Sequence, residues 1–265
     1  MVIEPIGNPE NPAIILLNGT LCSGDGLYPI SNQLKDDFYV ILPTYDGCDG
    51  YDDAEYDNAR NQAIKIYNWL RKNGVRSLTL AFGSSMGAEV LVEFALLCEK
   101  QGYQVGRYVF DGGPFMKLPG LMRSIMRKKF VQFATSVKGK DTEQGVTTLL
   151  GDSTIQMLTG PDSARYESMV ADMVHVCQTA TRRSIEAMVE TCYTFDFPRM
   201  SDELQKKSVF IWCENELARK AERDIRRHYP KATYRIIPDW MHCGYLVNNP
   251  VGYAADLKAY AKGEL

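Results

Sequence analysis

The sequence lacks the charge excess and the long apolar segments that mark several classes of protein. Its 30 Lys and Arg residues against 33 Asp and Glu residues give a net charge of −3, which leaves no basic footprint for nucleic-acid phosphates. No apolar run approaches the length of a membrane span, and the first residues lack the basic start and apolar stretch of a secretory signal. We therefore expect a cytoplasmic protein with no nucleic-acid partner and no stable membrane insertion.

Cysteine pairs with the spacing of metal sites or disulfide frameworks are also absent. The seven cysteines are an odd number, lie far apart along the chain and include no C-x-x-C pair. Neither a disulfide framework nor a zinc site is indicated. We expect free, mostly buried thiols, no metal ion and no cofactor.

The sequence does contain a series of short apolar runs with helical stretches between them. Continuous apolar runs of this length are typical of strands buried on both faces of a parallel sheet, with helices as the crossovers. The pattern predicts an α/β protein with a mostly parallel, doubly wound sheet. The predicted strands are 13–17, 38–42, 77–82, 107–110, 208–212 and 233–237, with 2–6 as a candidate edge strand.

The strand pattern stops at Phe115 and resumes after about Lys207, and a helical pattern rich in Met and aromatic residues fills the gap. A chain of 265 residues fits one domain with an inserted segment. We expect residues 1–114 and 205–265 to form the α/β core and residues 115–204 to form a helical cap, inserted before the last two strands. The cap either lines a pocket at the carboxyl ends of the strands or has a core of its own.

Residues 83–87 contain a candidate nucleophile. They read G-S-S-M-G and match G-x-S-x-G, directly after a predicted strand and directly before a predicted helix that starts at Met86. Such a turn strains the serine backbone and brings neighbouring segments close, so small residues are required two places before and after. Gly83 and Gly87 meet that need for Ser85, whereas Ser84 lacks the spacing. The alternative is a Gly/Ser turn that only starts a helix.

A serine hydroxyl is a poor nucleophile at neutral pH and needs an adjacent base. The sequence has three histidines. His175 lies in the helical pattern of the insertion, and His228 lies at a predicted helix end, where a cation interacts favourably with the helix dipole. His242 follows the last predicted strand, in the kind of loop where catalytic groups of open sheets gather. We predict His242 as the base, with a structural loop histidine as the alternative.

The acid that orients this base is expected after the serine and before the histidine, at the end of another strand. Glu214 and Glu216 both follow the strand 208–212, and Asp111 follows the strand 107–110. The acid holds the imidazole in the required tautomer and stabilises its cation. The residues alone leave these three candidates open.

Two backbone donors are expected to stabilise a developing oxyanion. The Met86 N–H comes directly after the serine, at a helix N-terminus where the dipole favours negative charge. The second donor is expected in the loop after strand 13–17, at the Thr20 N–H. The alternative for that loop is a simple strand-ending turn.

Four segments together resemble the α/β-hydrolase superfamily, on its capped serine-esterase and lipase-like side. They are 17–20 (L-N-G-T), 83–87 (G-S-S-M-G), 212–216 (W-C-E-N-E) and 241–244 (M-H-C-G). The resemblance spans roughly residues 13–113 and 205–262. It places the acid of the family's W-G-x-x-D stretch at Glu216, which we therefore rank first. Asn18 stands where the family usually has His, and Cys213 stands where it usually has Gly.

The resemblance implies a serine hydrolase that cleaves a small carboxylic ester, or a related acyl bond, through an acyl-Ser85 intermediate. The same residues could serve acyl transfer or carbon–carbon bond hydrolysis. A non-catalytic binding protein with this fold is a further alternative, because fold does not fix function. The sequence indicates no oligomeric state.

Overall fold

The central strands of the sheet have side chains buried on both faces. The computed structural model describes residues 1–49 and 54–265, and these contain seven strands in the order β1-β3-β2-β4-β5-β6-β7. Strand β1 is antiparallel to β3, and the other neighbours are parallel. The strands are β1 (Val2–Ile6), β2 (Ala13–Leu17), β3 (Tyr39–Thr44), β4 (Ser77–Ser84), β5 (Gln104–Asp111), β6 (Ser208–Cys213) and β7 (Thr233–Ile237).

Alternate residues of the central strands enter two separate apolar clusters. Ile15 and Leu17 of β2 belong to the cluster on one face, whereas Ile14 and Leu16 belong to the cluster on the other. This alternation follows from the two-residue period of a strand. It explains why the strands read as continuous apolar runs, and it confirms the prediction of a mostly parallel sheet covered on both sides.

Helices separate the strands in the order expected for a doubly wound fold. Before β5 they are α1 (Tyr28–Leu34), α2 (Ala59–Lys72) and α3 (Met86–Gln101). Between β5 and β6 lie α4 (Gly120–Thr135), α5 (Thr142–Leu150), α6 (Ser153–Thr159), α7 (Glu167–Thr179), α8 (Arg182–Tyr193) and the short α9 (Asp202–Lys206). After β6 come α10 (Glu222–His228), α11 (Gly244–Asn248) and α12 (Pro250–Lys262). Within the described residues, no helix combines the length and apolarity that a membrane crossing requires.

The helices α4 to α8 form the helical cap inserted before the last two strands. The two ends of this segment meet, because Leu118 N–H donates to Tyr193 O over 3.0 Å and Phe195 N–H donates to Met116 O over 3.1 Å. Apolar side chains of the cap, such as Val174, belong to the same cluster as one face of the sheet. The cap is therefore packed on the core as a continuous apolar unit.

Several element ends differ from the sequence prediction by one to three residues. Strand β4 continues to Ser84 and pairs there with Asp111 of β5, whereas the predicted strands stopped at the last apolar residues. Helix α2 begins at Ala59 because the side chain of Asn58 accepts the Asn61 N–H and caps it. Parallel pairing thus carries the polar ends of β4 and β5 to one edge of the sheet.

Candidate active site

Ser85 occupies a strained turn between the end of β4 and the start of α3. Its backbone has φ 54° and ψ −124°, a combination that non-glycine residues rarely adopt. The Ser85 N–H donates to the Asp111 carbonyl oxygen over 2.7 Å. This bond fixes the turn against the neighbouring strand.

Gly83 and Gly87 lie where no side chain fits. A Cβ on Gly83 would lie 2.3 Å from the Gly87 carbonyl oxygen, and a Cβ on Gly87 would lie 2.4 Å from the carbonyl oxygen of Asn18 and 2.6 Å from that of Leu17. These contacts are with backbone atoms, which cannot rotate away. The glycine spacing predicted that neighbouring backbone segments pack closely at the turn around Ser85, and the structure contains this close packing.

The imidazole of His242 lies between Ser85 and Glu216. Its Nε2 is 3.0 Å from Ser85 Oγ, and its Nδ1 is 2.5 Å from Glu216 Oε2. The His242 N–H donates to the carbonyl oxygen of Leu158 in α6 over 3.2 Å. Three distant stretches of the chain thus contribute to one continuous line of hydrogen bonds. The cap contacts the central residue of that line, His242.

The three candidate acids have different surroundings. The Glu216 side chain is fully buried, and its Oε1 accepts the Cys213 N–H over 2.7 Å while Oε2 faces the imidazole. Glu214 is exposed and accepts the Asp239 N–H over 3.2 Å. Asp111 accepts the Tyr253 hydroxyl over 2.6 Å. Of these three carboxylates, Glu216 is the one that contacts the imidazole.

Charge and burial act in opposite directions on His242. Burial alone would lower the pKa of its imidazole, but the adjacent Cys243 sulfur and the Glu216 carboxylate raise the pKa well above its ordinary value. Because the pKa of His242 is higher in the folded state, its pairing with Glu216 stabilises the fold. This stabilisation is fully present below the unfolded-state pKa of about 6.5. The stabilisation is lost as the pH rises through the raised folded-state pKa of His242.

Asp111 is a second buried carboxyl close to the imidazole. Burial, followed by the charge of Glu216, raises the pKa of Asp111 to about 7, although the Tyr253 hydroxyl opposes the shift. Like charges in a buried site disfavour one another. Burial and the neighbouring Glu216 thus favour the neutral form of the Asp111 carboxyl.

The predicted oxyanion donors lie on the two segments that flank Ser85. Met86 is fully buried at the start of α3, and an N–H in the first helical turn has no partner within its helix. Gly19 lies beside the nucleophile, since a Cβ there would be 3.2 Å from Ser85 Cβ. Thr20 comes next, with its Oγ1 3.5 Å from Cys192 Sγ. The roles of the Met86 and Thr20 N–H groups stay predictions.

The other two histidines lie at different places. His228 is exposed, its Nδ1 is 2.8 Å from the carbonyl oxygen of Asp224, and its ring stacks on Phe197 with centroids 4.2 Å apart. His175 is exposed on α7 and lines a cavity together with Asp172. A structural role for these two histidines stays a prediction.

Two buried polar side chains near Ser85 were not selected from the sequence. Glu89, on α3, accepts the Phe115 N–H at Oε1 over 2.9 Å, and burial raises the pKa of its carboxyl well above its usual value. Asn18 is 1% exposed, and its side-chain oxygen and nitrogen have no partner among the described residues. One sequence feature could have identified Glu89. It is a charged residue within the apolar run of α3, four places after the nucleophile.

The architecture is shared with solved structures at low sequence identity. No protein-family model matches the chain, and no curated protein matches its sequence. A thermophilic esterase from Thermogutta terrifontis superposes with a TM-score of 0.73 at 14% identity, over 99% of this chain and 93% of its own. An esterase from Rhodococcus sp. ECU1013 gives a TM-score of 0.71 at 19% identity, with 98% and 94% covered.

The enol-lactonase from Burkholderia xenovorans LB400 also superposes, with a TM-score of 0.71 at 13% identity over 98% of this chain and 96% of its own. Nearly complete coverage of both partners includes the cap as well as the sheet. The chain therefore has the α/β-hydrolase fold, as the four resembling segments predicted.

Replacing Gly87 with Ala is expected to destabilise the fold by about 1–3 kcal/mol, because the new methyl group overlaps two backbone carbonyl groups. Urea unfolding followed by circular dichroism measures the change. Gly120→Ala is the matched control, since a Cβ at Gly120 meets nothing within 4 Å. Equal stability of the two variants would contradict the close packing of Gly87 against the carbonyl groups of Leu17 and Asn18.

The His242 ring is expected to titrate above the ordinary pKa of about 6.5, and Glu216→Gln is expected to lower that pKa by removing the charge opposite the imidazolium. A proton NMR titration of the ring Cε1–H measures both values. Glu214→Gln, which removes an exposed carboxylate two residues away, serves as the control. A His242 pKa that Glu216→Gln leaves unchanged would show that the two groups are not paired.

Proposed function

We propose that this protein is a serine hydrolase that cleaves a carboxylic ester, or a closely related acyl bond, of a small molecule. The observation that carries the proposal is the line of contacts from Ser85 Oγ to His242 Nε2 and from His242 Nδ1 to Glu216 Oε2. A nucleophile, a base and an orienting acid in mutual hydrogen-bond reach are the signature of covalent acyl chemistry.

In the first half of the proposed reaction, His242 Nε2 accepts the Ser85 hydroxyl proton as Oγ attacks the carbonyl carbon. The carbonyl oxygen gains negative charge, and the N–H groups of Met86 and Thr20 are the proposed donors to it. The imidazolium then returns its proton to the departing alcohol oxygen, which leaves an acyl group on Ser85. In the second half, His242 takes a proton from water as the water oxygen attacks the acyl carbon. The imidazolium then returns that proton to Ser85 Oγ as the acyl–Oγ bond breaks and the acid is released.

Glu216 is proposed to orient the imidazole and to stabilise its cation without taking the proton. Its second oxygen is held by the Cys213 N–H, so the carboxylate has a fixed direction. Because the neutral imidazole is the base, turnover should fall as the pH drops through the raised pKa of His242.

The comparisons support an acyl substrate without identifying it. The superposing structures include proteins named as esterases and an enol-lactonase, which act on carboxylic ester bonds. We propose the same bond class for this chain, with residues 115–204 as the cap over the α/β core of residues 1–114 and 205–265. The paired ends of the insertion at Leu118 and Tyr193 support this division.

Ser85→Ala and His242→Ala are each expected to reduce kcat/KM by about 10⁴-fold or more, because the members of such a set act as a unit. The measurement is hydrolysis of p-nitrophenyl esters of increasing acyl length, which also reports the depth of the pocket. His228→Ala is the control, since that exposed ring contacts α10 and Phe197, and it should retain wild-type rates.

Thermal unfolding of each variant separates loss of chemistry from loss of fold. A folded Ser85→Ala protein that hydrolyses these esters at more than a tenth of the wild-type rate would overturn the proposal.

A further inference from the structure

The end of strand β5 contacts both the nucleophile and the acid–base pair. Its last residue, Asp111, accepts the Ser85 N–H at its carbonyl oxygen over 2.7 Å. The chain leaves the strand at Gly112, whose φ of 61° lies in the left-handed region that favours glycine. The Gly112 N–H donates to the Ile211 carbonyl oxygen over 2.9 Å. Two backbone hydrogen bonds therefore hold this segment between the turn at Ser85 and strand β6.

Gly112 lies directly against the contact between Glu216 and His242. A Cβ on Gly112 would lie 3.0 Å from Glu216 Oε2, 3.0 Å from His242 Cε1 and 3.1 Å from His242 Nδ1. At such distances a small shift of the Gly112 backbone toward the pair would push the carboxylate and the imidazole apart. The position of the β5 end thus determines the space that the acid–base pair occupies.

The side chain of Asp111 is a buried carboxyl group in this segment. It is 3% exposed, and its Oδ2 accepts the Tyr253 hydroxyl over 2.6 Å. Burial has the largest effect on its pKa, and the charges of Glu216 and His242 also act on it. A carboxyl group is costly to bury, and an apolar side chain could fill a strand end at lower cost. The hydrogen bond with Tyr253 is therefore the feature that needs an explanation.

Tyr253 has a fixed orientation in the first turn of α12. It is 1% exposed, and its N–H donates to the Asn249 carbonyl oxygen over 2.9 Å. Its ring packs edge-on against Phe82, with centroids 5.8 Å apart, and against Tyr245 at 5.4 Å. Phe82 lies in β4, three residues before Ser85. The Tyr253 hydroxyl thus has a fixed direction relative to the strand that carries the nucleophile.

We propose that Asp111 is a positioning residue, and that its hydrogen bond with Tyr253 fixes the end of β5. That strand end in turn holds the Ser85 backbone and keeps the His242–Glu216 pair at reacting distance. The inference rests on the proposed ester hydrolysis and deepens it, because it adds to the site a residue that acts through its neighbours without touching the substrate.

Three variants separate the hydrogen bond from the charge of Asp111. Tyr253→Phe keeps the ring and removes the hydroxyl, and Asp111→Ala removes the acceptor. Each should lower kcat for p-nitrophenyl ester hydrolysis by about tenfold or more with little change in KM, because misplaced reacting groups slow the chemical step. Asp111→Asn should recover most of the kcat lost in Asp111→Ala, since its amide oxygen still accepts the Tyr253 hydroxyl.

Tyr260→Phe is the matched control. Tyr260 lies on the same helix, is 2% exposed, and its hydroxyl accepts an N–H of Arg235 over 3.3 Å. This variant removes a buried hydroxyl from α12 and leaves the bond to Asp111 in place, so it should keep the wild-type kcat. Equal losses of kcat in Tyr260→Phe and Tyr253→Phe would show a general packing effect and would overturn the inference.

A spectroscopic measurement without turnover distinguishes this inference from the proposed function. The proton between His242 Nδ1 and Glu216 Oε2 should give a far-downfield proton NMR line, because the bond is short and charge-assisted. Tyr253→Phe should shift or abolish this line, and Tyr260→Phe should not. If the Ser85→Ala protein kept its esterase activity while the line responded to Tyr253→Phe, the proposed function would fail and the positioning of the pair would stand.

Ser85-dependent hydrolysis with unchanged kcat and an unchanged downfield line in the folded Tyr253→Phe protein would overturn this inference alone. A lower melting temperature with both readings unchanged would have the same meaning, since Tyr253 would then contribute only to stability. An Asp111→Asn protein as slow as Asp111→Ala would also overturn it, because the loss would follow the charge of Asp111 and not its hydrogen bond.

Discussion

Backbone contact between the start of α3 and the end of β2 is the constraint on which the site depends. Gly87 lies against the carbonyl oxygens of Leu17 and Asn18. The close packing of these two backbone segments determines where the loop after β2 passes Ser85. Any side chain at Gly87 would separate the segments that carry the two predicted oxyanion donors. Strand pairing, the bond from the Ser85 N–H to the Asp111 carbonyl oxygen and the close packing at Gly83 and Gly87 maintain the strain at Ser85.

Three buried carboxyl groups interact with one imidazole, and their environments differ. Glu216 receives a backbone N–H and contacts His242, whereas burial raises the pKa of Asp111 to about 7 and raises that of Glu89 well above its usual value. Burying several charged carboxylates together would be costly. The arrangement instead favours the neutral forms of Asp111 and Glu89, while Glu216 is the carboxyl that contacts the imidazole.

Much of this could be predicted from the sequence, because the information was local. Apolar runs predicted the strands, and the G-x-S-x-G spacing at a strand–helix boundary predicted the turn at Ser85. The rank of Glu216 over Glu214 came from resemblance; the structure adds that Glu214 is exposed while Glu216 is buried. Strand ends and the environment of Glu89 could not be predicted, since they depend on which distant segments pack together. The oxyanion donors and the cap boundaries stay predictions.

Covalent labelling shows whether His242 activates the Ser85 hydroxyl. The protein is incubated with a fluorophosphonate probe at pH 8 and digested, and the peptide that contains Ser84 and Ser85 is sequenced by mass spectrometry. We expect a single adduct on Ser85 within minutes, and labelling about a hundredfold slower or more in the folded His242→Ala protein. No adduct, an adduct on Ser84, or labelling that proceeds equally fast without His242 would show that His242 does not activate Ser85.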